Sequence, residues 1–300
     1  VANVIACDLG SNTLRIVLWD CKNNRRLKEF ERIVRTAQDL YKTGRISQSA
    51  IGRIFGALEA AKHQFDFKST PTVCVTTQAI RQASNRFEVL DAIRSHFGLN
   101  FRIIDGQEEA NLTRFGVEFG LGKCGIDTSS YVLIDLGGGS LEITCKSGMN
   151  IFSDSYPFGI VTLAEANKSA ESFERSLKEK SSTIAKKVRS WPKVSRLVAT
   201  AGTPTTLVAF KKGLDYRHYD ASVVTGEELT KSECEESLNR LIKLPRDEQE
   251  RWVGVGRIDL IIAGIKILTG IMDVFGFDKM TVVDEGLREG AAISFCSTLE

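Results

Sequence analysis

The chain of 300 residues, with 42% hydrophobic and 26% charged side chains and only 5 prolines, has the makings of a globular protein able to bury one large core or two ordinary ones. Forty Lys and Arg against 38 Asp and Glu leave a formal charge of +2. That excludes the broad basic surface needed for non-specific binding to nucleic acid or anionic lipid, so any anion has to be met locally.

The first element is the run VIACDLGSNTLRIVLWD, residues 4–20, which reads as strand, acidic glycine turn, strand. LKEFERIVRTA continues as a further β-like segment, and Ile51, Ile54, Phe55, Leu58 and Phe65 then recur at helical spacing with Ser47 or Ser49 as cap. TVCVTT, a helix near 78–97, FRIID and a helix near 107–119 complete the first half. The second half opens on YVLIDLGGGSLEIT, residues 131–144, and then NIFSDSYPF. A helix near 163–191, RLVATAG, helices near 204–212, 230–243 and 257–275, MTVVDEG and a last helix from 287 follow. Each half is thus an α/β succession, and the boundary falls in the polar stretch from Lys123 to Ser130. Aligning Asp8 with Asp135 also pairs Leu9 with Leu136, Gly10 with Gly137, Leu14 with Leu141 and Ile16 with Ile143, so one device is used twice.

Seven cysteines (Cys7, Cys21, Cys74, Cys124, Cys145, Cys234, Cys296), odd in number, far apart and without a C-x-x-C pair, imply neither a disulfide framework nor a zinc site, and a reducing compartment. Three histidines (His63, His96, His218) without metal spacing leave the chemistry to carboxylates, Ser, Thr and Cys. The longest apolar segment, LIIAGIKILTGIM, is broken by Lys266 and flanked by Asp259 and Asp273, too short and charged for a membrane span. The chain opens at Val1 in a strand-like run without a basic, apolar leader, so a cytoplasmic location is expected, with no nucleic-acid or membrane partner.

Glycine lets a ligand approach the main chain, and consecutive glycines can turn their N–H groups inward as an anion nest. Asp135 reaches phosphate only through a cation, which explains a carboxylate set against Gly137, Gly138 and Gly139: the aspartate for magnesium, the glycines for phosphate oxygens. A plain hairpin turn accounts for one such motif; two, one in each half, point to a cleft between domains. In TAGTPTTL, Gly202 turns after a strand and Thr203 reads as N-cap with Pro204 at the first helical position, which exposes helix N–H groups. Arg81 of VTTQAIRQA either grips a phosphate or is a solvated surface charge. Arg288 and Glu289 of DEGLREG read as a surface pair. Glu108 and Glu109 of IIDGQEEANL either serve the helix dipole or orient a water.

DLGSNTLRI, TTQAIRQA, GQEEANL, IDLGGGSLEIT, AGTPTTL, GRIDLIIAGIKIL and DEGLREG, in this order from residue 4 to about 295, closely resemble the exopolyphosphatase and guanosine pentaphosphate phosphatase (Ppx/GppA) family of the actin-like ATPase superfamily. The resemblance implies an α/β protein of two ribonuclease-H-like (actin-like ATPase) domains with an interdomain cleft. Domain I would span 1–124, domain II 125–285, and a final helix, about 286–300, would pack back on domain I. It implies hydrolysis of the terminal phosphoanhydride of polyphosphate or guanosine pentaphosphate with Mg²⁺ or Mn²⁺, guanosine tetraphosphate as a further bound ligand, a place in the stringent response and, as often in the family, a homodimer. Position by position, Asp8, Gly10, Ser11 and Asn12 would form the first phosphate turn, and Asp135, Gly137, Gly138, Gly139 and Ser140 the second. Asp8 and Asp135 would hold the metal, Arg81 a phosphate, Glu109 the water with Glu108 as fallback, and Glu142 another acidic position of the cleft. The C-terminal helical domains of longer members are not in the 300 residues, and Val283 stands where many relatives have a small hydroxylated residue. A binding switch without turnover is the alternative function; a filament subunit or sugar kinase fits GLREG and Glu109 less well.

Overall fold

The first apolar run is buried on both sides. Ile5, Cys7 and Leu9 enter one core cluster while Val4 and Ala6 enter another, as alternation requires of a strand at the centre of a sheet covered on both faces. In the computed structural model, which describes residues 2–167 and 169–298, this run is β1 (Asn3–Leu9). Val1, Lys168 within the expected helix 163–191, and residues 299–300 of the expected last helix lie outside the described residues.

After β1 come β2 (Thr13–Asp20), β3 (Arg25–Ile33), α1 (Leu40–Thr43), α2 (Gln48–Lys62), β4 (Thr72–Thr76), α3 (Gln78–Gln82), α4 (Arg86–Phe97), β5 (Phe101–Ile103) and α5 (Gly106–Lys123). The second series is β6 (Ser130–Leu136), β7 (Leu141–Ser147), β8 (Asn150–Tyr156), α6 (Ile160–Ala166), α7 (Ala170–Val188), β9 (Leu197–Thr200) and α8 (Gly202–Lys211). It continues with α9 (Ala221–Val224), β10 (Glu228–Thr230), α10 (Lys231–Lys243), α11 (Arg246–Val253), α12 (Ile258–Phe275), β11 (Lys279–Val282) and α13 (Leu287–Ser297).

The strand order β3-β2-β1-β4-β5 of the first sheet is repeated in the second as β8-β7-β6-β9-β11, with β10 added at the edge. In each, the first three strands are antiparallel and the next two run parallel to the first. Two helices join the halves. Leu112 of α5 packs with Leu287, Ala291 and Ala292 of α13 against β1 and β2, while Val117 and Leu121 of α5 pack on Tyr131 and Leu133 of β6. The helices α5 and α13 touch through backbone: a Cβ on Gly290 would stand 1.7 Å from the Leu112 carbonyl oxygen, so no other residue fits there.

Several local expectations are corrected. The helix near 78–97 is two helices, because Asn85 turns its side chain back to the Ile46 N–H (2.8 Å) and carbonyl (3.0 Å), and Ala83 is extended. The helix near 163–191 divides where Asn167 is extended and Ser169 caps α7 by accepting from Ser172 N–H. Thr203 is not an N-cap: α8 begins at Gly202, and Ala201 takes the cap position with φ of 77°. Arg288 and Glu289 are no surface pair but buried, with 6% and 0% exposure, in an ion network with Arg26, Glu29 and Asp284. Cys21 and Cys296, read as reduced, form a disulfide with Cα atoms 5.4 Å apart, tying the turn after β2 to the end of α13. A separation of 275 residues hides such a pair from any spacing rule.

Candidate active site

β1 and β6 each end beside an aspartate in matching register, Asp8 opposite Arg15 of β2 and Asp135 opposite Glu142 of β7. Both turns close with the same bond, Gly10 N–H to the Thr13 carbonyl and Gly137 N–H to the Ser140 carbonyl, each 3.0 Å. The turn carbonyls are used on the outside. Ser11 accepts from Ala37 N–H and Asn12 from Val34 and Arg35 N–H, while Gly137 and Gly138 accept from Ile160 and Val161 N–H. The N–H groups of Ser11, Gly138 and Gly139 are bonded to none of the described residues, the condition of an anion nest. The two turns touch: a Cβ on Gly139 would lie 2.3 Å from Ser11 Oγ.

Asp8, Gly10, Ser11, Asn12, Glu109, Asp135, Gly137, Gly138, Gly139, Ser140, Gly202 and Thr203 line one cleft between the two sheets. Arg81 and Glu142 do not reach its wall. Arg81 lies one layer back, with its guanidinium on Gln78 and the Ile104 carbonyl and 3.4 Å from Glu109. Glu142, 2% exposed, accepts from Ser155 Oγ at 2.7 Å. Adjacent in sequence, Glu108 and Glu109 are separated by the turn of α5. Glu108 pairs outward with Arg102 at 2.6 Å, and Glu109 is buried in the cleft wall. Asp105 caps this helix by accepting from Glu108 N–H at 2.8 Å, which sets the first turn and hence the direction of Glu109.

Four carboxylates in a small buried volume repel one another. Burial, reinforced by Asp135 and opposed by Arg15, pushes Asp8 up to about 7. Burial and then Glu142 and Asp135 hold the Glu109 carboxyl well above its usual range, and burial with Asp135 raises Glu142. Asp135 is raised by burial too, but the Thr113 hydroxyl, 2.9 Å from its Oδ2, favours the charged form. The buried Asp8 Oδ1, Asn12 Oδ1 and Thr203 Oγ1 have no hydrogen-bond partner among the described residues. A divalent cation fits this set: anionic oxygen donors, one of them orphaned, in a site where positive charge is otherwise short. Among the described residues no three His, Cys, Asp or Glu are placed to hold a metal by themselves, so phosphate oxygens and waters would complete its shell.

Beyond Arg15, Gly202 and Arg257 the cleft continues into a second cavity of about 280 Å³, walled by Tyr216, Trp252 and Arg217 with Glu29 and Glu31.

The model of the Ppx/GppA phosphatase family matches residues 22–298. The chain belongs to that family. It is 28% identical to exopolyphosphatase 2 of Mycobacterium tuberculosis, over 98% of this chain and 98% of that one. It is 24% identical to the guanosine-5'-triphosphate,3'-diphosphate pyrophosphatase of Vibrio atlanticus, over 96% of this chain and 58% of that protein. The crystal structure of the Aquifex aeolicus Ppx/GppA member superposes with a TM-score of 0.78 at 28% identity, covering 99% and 98% of the two chains. An exopolyphosphatase from Cytophaga hutchinsonii, at 20% identity and a TM-score of 0.86, shares the fold over 99% of both. The architecture is therefore that of two actin-like domains, and the Ppx/GppA chain is a phosphatase by family. No helix among the described residues is long and apolar enough to cross a membrane.

Arg15, Arg257 and Thr113 escaped the sequence reading. Arg15 was findable: it is two residues from Thr13 on one strand, so both face the cleft, and it is the one charge within TLRIVLW. Arg257 stands in the motif GRIDLIIAGIKIL, which by itself assigns it no role, and Thr113 carries no local signal; the packing of α12 and α5 brings them in.

Proposed function

We propose that this Ppx/GppA phosphatase hydrolyses the terminal phosphoanhydride of inorganic polyphosphate or guanosine pentaphosphate, using a water oriented by Glu109. The observation that carries the reading is the meeting of two turns with unpaired N–H groups at a cleft that also holds Glu109. Ser11, Gly138 and Gly139 N–H groups would hold phosphate oxygens, and the α8 N-terminus at Gly202 and Thr203 would face the next phosphate. Glu109, its carboxyl held above its usual range by burial and by Glu142, suits proton acceptance from water once cationic charge enters the site. Arg81 beside it would steady the ionised form. Mg²⁺ or Mn²⁺, held by Asp8 and Asp135 when bound, would offset the charge of the phosphates. The second cavity leaves room for the rest of the substrate, and a cytoplasmic site of action belongs to the same proposal.

Phosphate release from short polyphosphate, long polyphosphate and guanosine pentaphosphate, measured in parallel with Mg²⁺, tests this. Multiple turnovers on at least one are expected. Tight binding of guanosine tetra- or pentaphosphate without product would replace the reading by that of a switch.

A further inference from the structure

Thr113 lies one turn after Glu109 on α5, fully buried, and donates its hydroxyl to Asp135 Oδ2 at 2.9 Å. Threonines inside helices commonly return the hydroxyl to the carbonyl four residues back. Thr183, Thr205 and Thr269 do so here, to Glu179, Ala201 and Ile265, at 3.0, 2.9 and 3.0 Å. Thr113 instead reaches out of its helix to the end of β6. Among the described residues it makes the one side-chain hydrogen bond to Asp135. Asp135 is otherwise faced by the like charges of Asp8, Glu109 and Glu142, with Arg15 attracting it through space without a hydrogen bond, so among the described residues no other side chain holds its carboxylate by a directional bond. The donor itself cannot drift, because α5 is locked against α13 by backbone contact at Gly116 and Gly290.

We propose that Thr113 is a positioning residue: by holding Oδ2 it turns Asp135 so that Oδ1 serves the cleft, and it ties Asp135 to the same helix face as Glu109. Residues four apart lie one above the other on a helix. The spacing between the water-orienting carboxylate and the cation-holding one is then set by a single rigid turn of α5. The inference rests on the assignment of Asp135 as a cation-holding residue made above. A partner of this kind, behind a ligating carboxylate, typically changes metal affinity about 10–100-fold when removed.

The test is a Mn²⁺ titration of the whole chain followed by the loss of the free-ion paramagnetic signal, with imidodiphosphate filling the phosphate turns. Thr113→Val, of the same shape without the hydroxyl, should bind Mn²⁺ about tenfold more weakly. Thr113→Ser should stay within about twofold of the parent, and Thr113→Val, which leaves a buried carboxylate oxygen without its donor, should melt modestly lower in metal-free buffer, with serine restoring the parent value. If Asp135→Asn abolishes binding while Thr113→Val binds like the parent, the Thr113 proposal fails and the assignment of Asp135 stands. If the parent binds no Mn²⁺, or Asp135→Asn binds as well as the parent, both fall. A Thr113→Val protein that melts several degrees lower, with no rescue by serine, would show a structural role and overturn the proposal.

Discussion

The two acidic turns share a closing bond and a strand order, yet their surroundings differ. Asp8 is faced across the sheet by Arg15, Asp135 by Glu142. The first turn carries side chains at Ser11 and Asn12; the second, Gly137 to Gly139, carries none and so accepts the first against its backbone. Repetition of topology therefore does not repeat the chemistry. The first half contributes Glu109 and Arg81 and an aspartate with a cation opposite, and the second contributes the bare backbone and two more carboxylates.

The sharpest way to break this division is at the base. If the first half supplies it, Glu109→Gln should lower kcat by about 10²–10⁴ with little change in KM. Glu142→Gln, whose carboxylate already accepts from Ser155, should cost at most about tenfold in the same phosphate-release assay. The opposite ranking would move the base to the second half.

Asp8 and Asp135 differ next in what their charge costs the empty protein. Unfolded, Asp8 ionises near 3.8; folded, near 7. Between these values the folded state keeps a proton that the unfolded state has released. This contribution to stability is full below about pH 4 and is lost as pH rises through about 7. Asp8→Asn has no charge to bury. In metal-free buffer it should match the parent near pH 4 and exceed it at pH 8.5 by roughly 2–4 kcal/mol, read from denaturant midpoints. Asp135→Asn should gain less, because Thr113 already favours the ionised form there. Equal gains would erase the difference between the two turns.

Most of this arrangement is legible in the sequence. Period-two burial in the two runs, the repeat of Asp-Leu-Gly and the strand-to-helix glycines are local, so β1–β2, β6–β7 and the cleft-facing turns were readable from residues a few positions apart. The Cys21–Cys296 bond, the burial of Arg288 and Glu289, and the reach of Thr113 to Asp135 depend on how α5 and α13 pack, which no window along the chain contains. Arg81 shows the same limit in milder form. Its helix was readable, but its engagement by Gln78, Ile104 and Glu109 instead of the open cleft was not.

The smallest expected effect bears directly on the contact between the turns. A methyl on Gly139 would meet Ser11 Oγ at 2.3 Å, Ser11 Cβ at 3.1 Å and Gln78 Cγ at 3.2 Å, whereas one on Gly10 meets the Thr13 carbonyl at 3.4 Å and Asp8 Oδ1 at 3.9 Å. Rotation of the serine hydroxyl relieves the first clash but not the second, so overpacking of about 1–3 kcal/mol has to be met by parting the turns. Gly139→Ala should lower kcat/KM about tenfold and Gly10→Ala under threefold, if closeness of the turns matters to the transition state. Adding Ser11→Gly removes the obstructing Cβ. It should therefore return Gly139→Ala most of the way to the level of Ser11→Gly alone, with only the approach to the Gln78 side chain at 3.2 Å left, a coupling that a double-mutant cycle reads directly. Additive losses would mean that Gly139 matters for its own N–H and backbone path, and that the two halves reach phosphate independently.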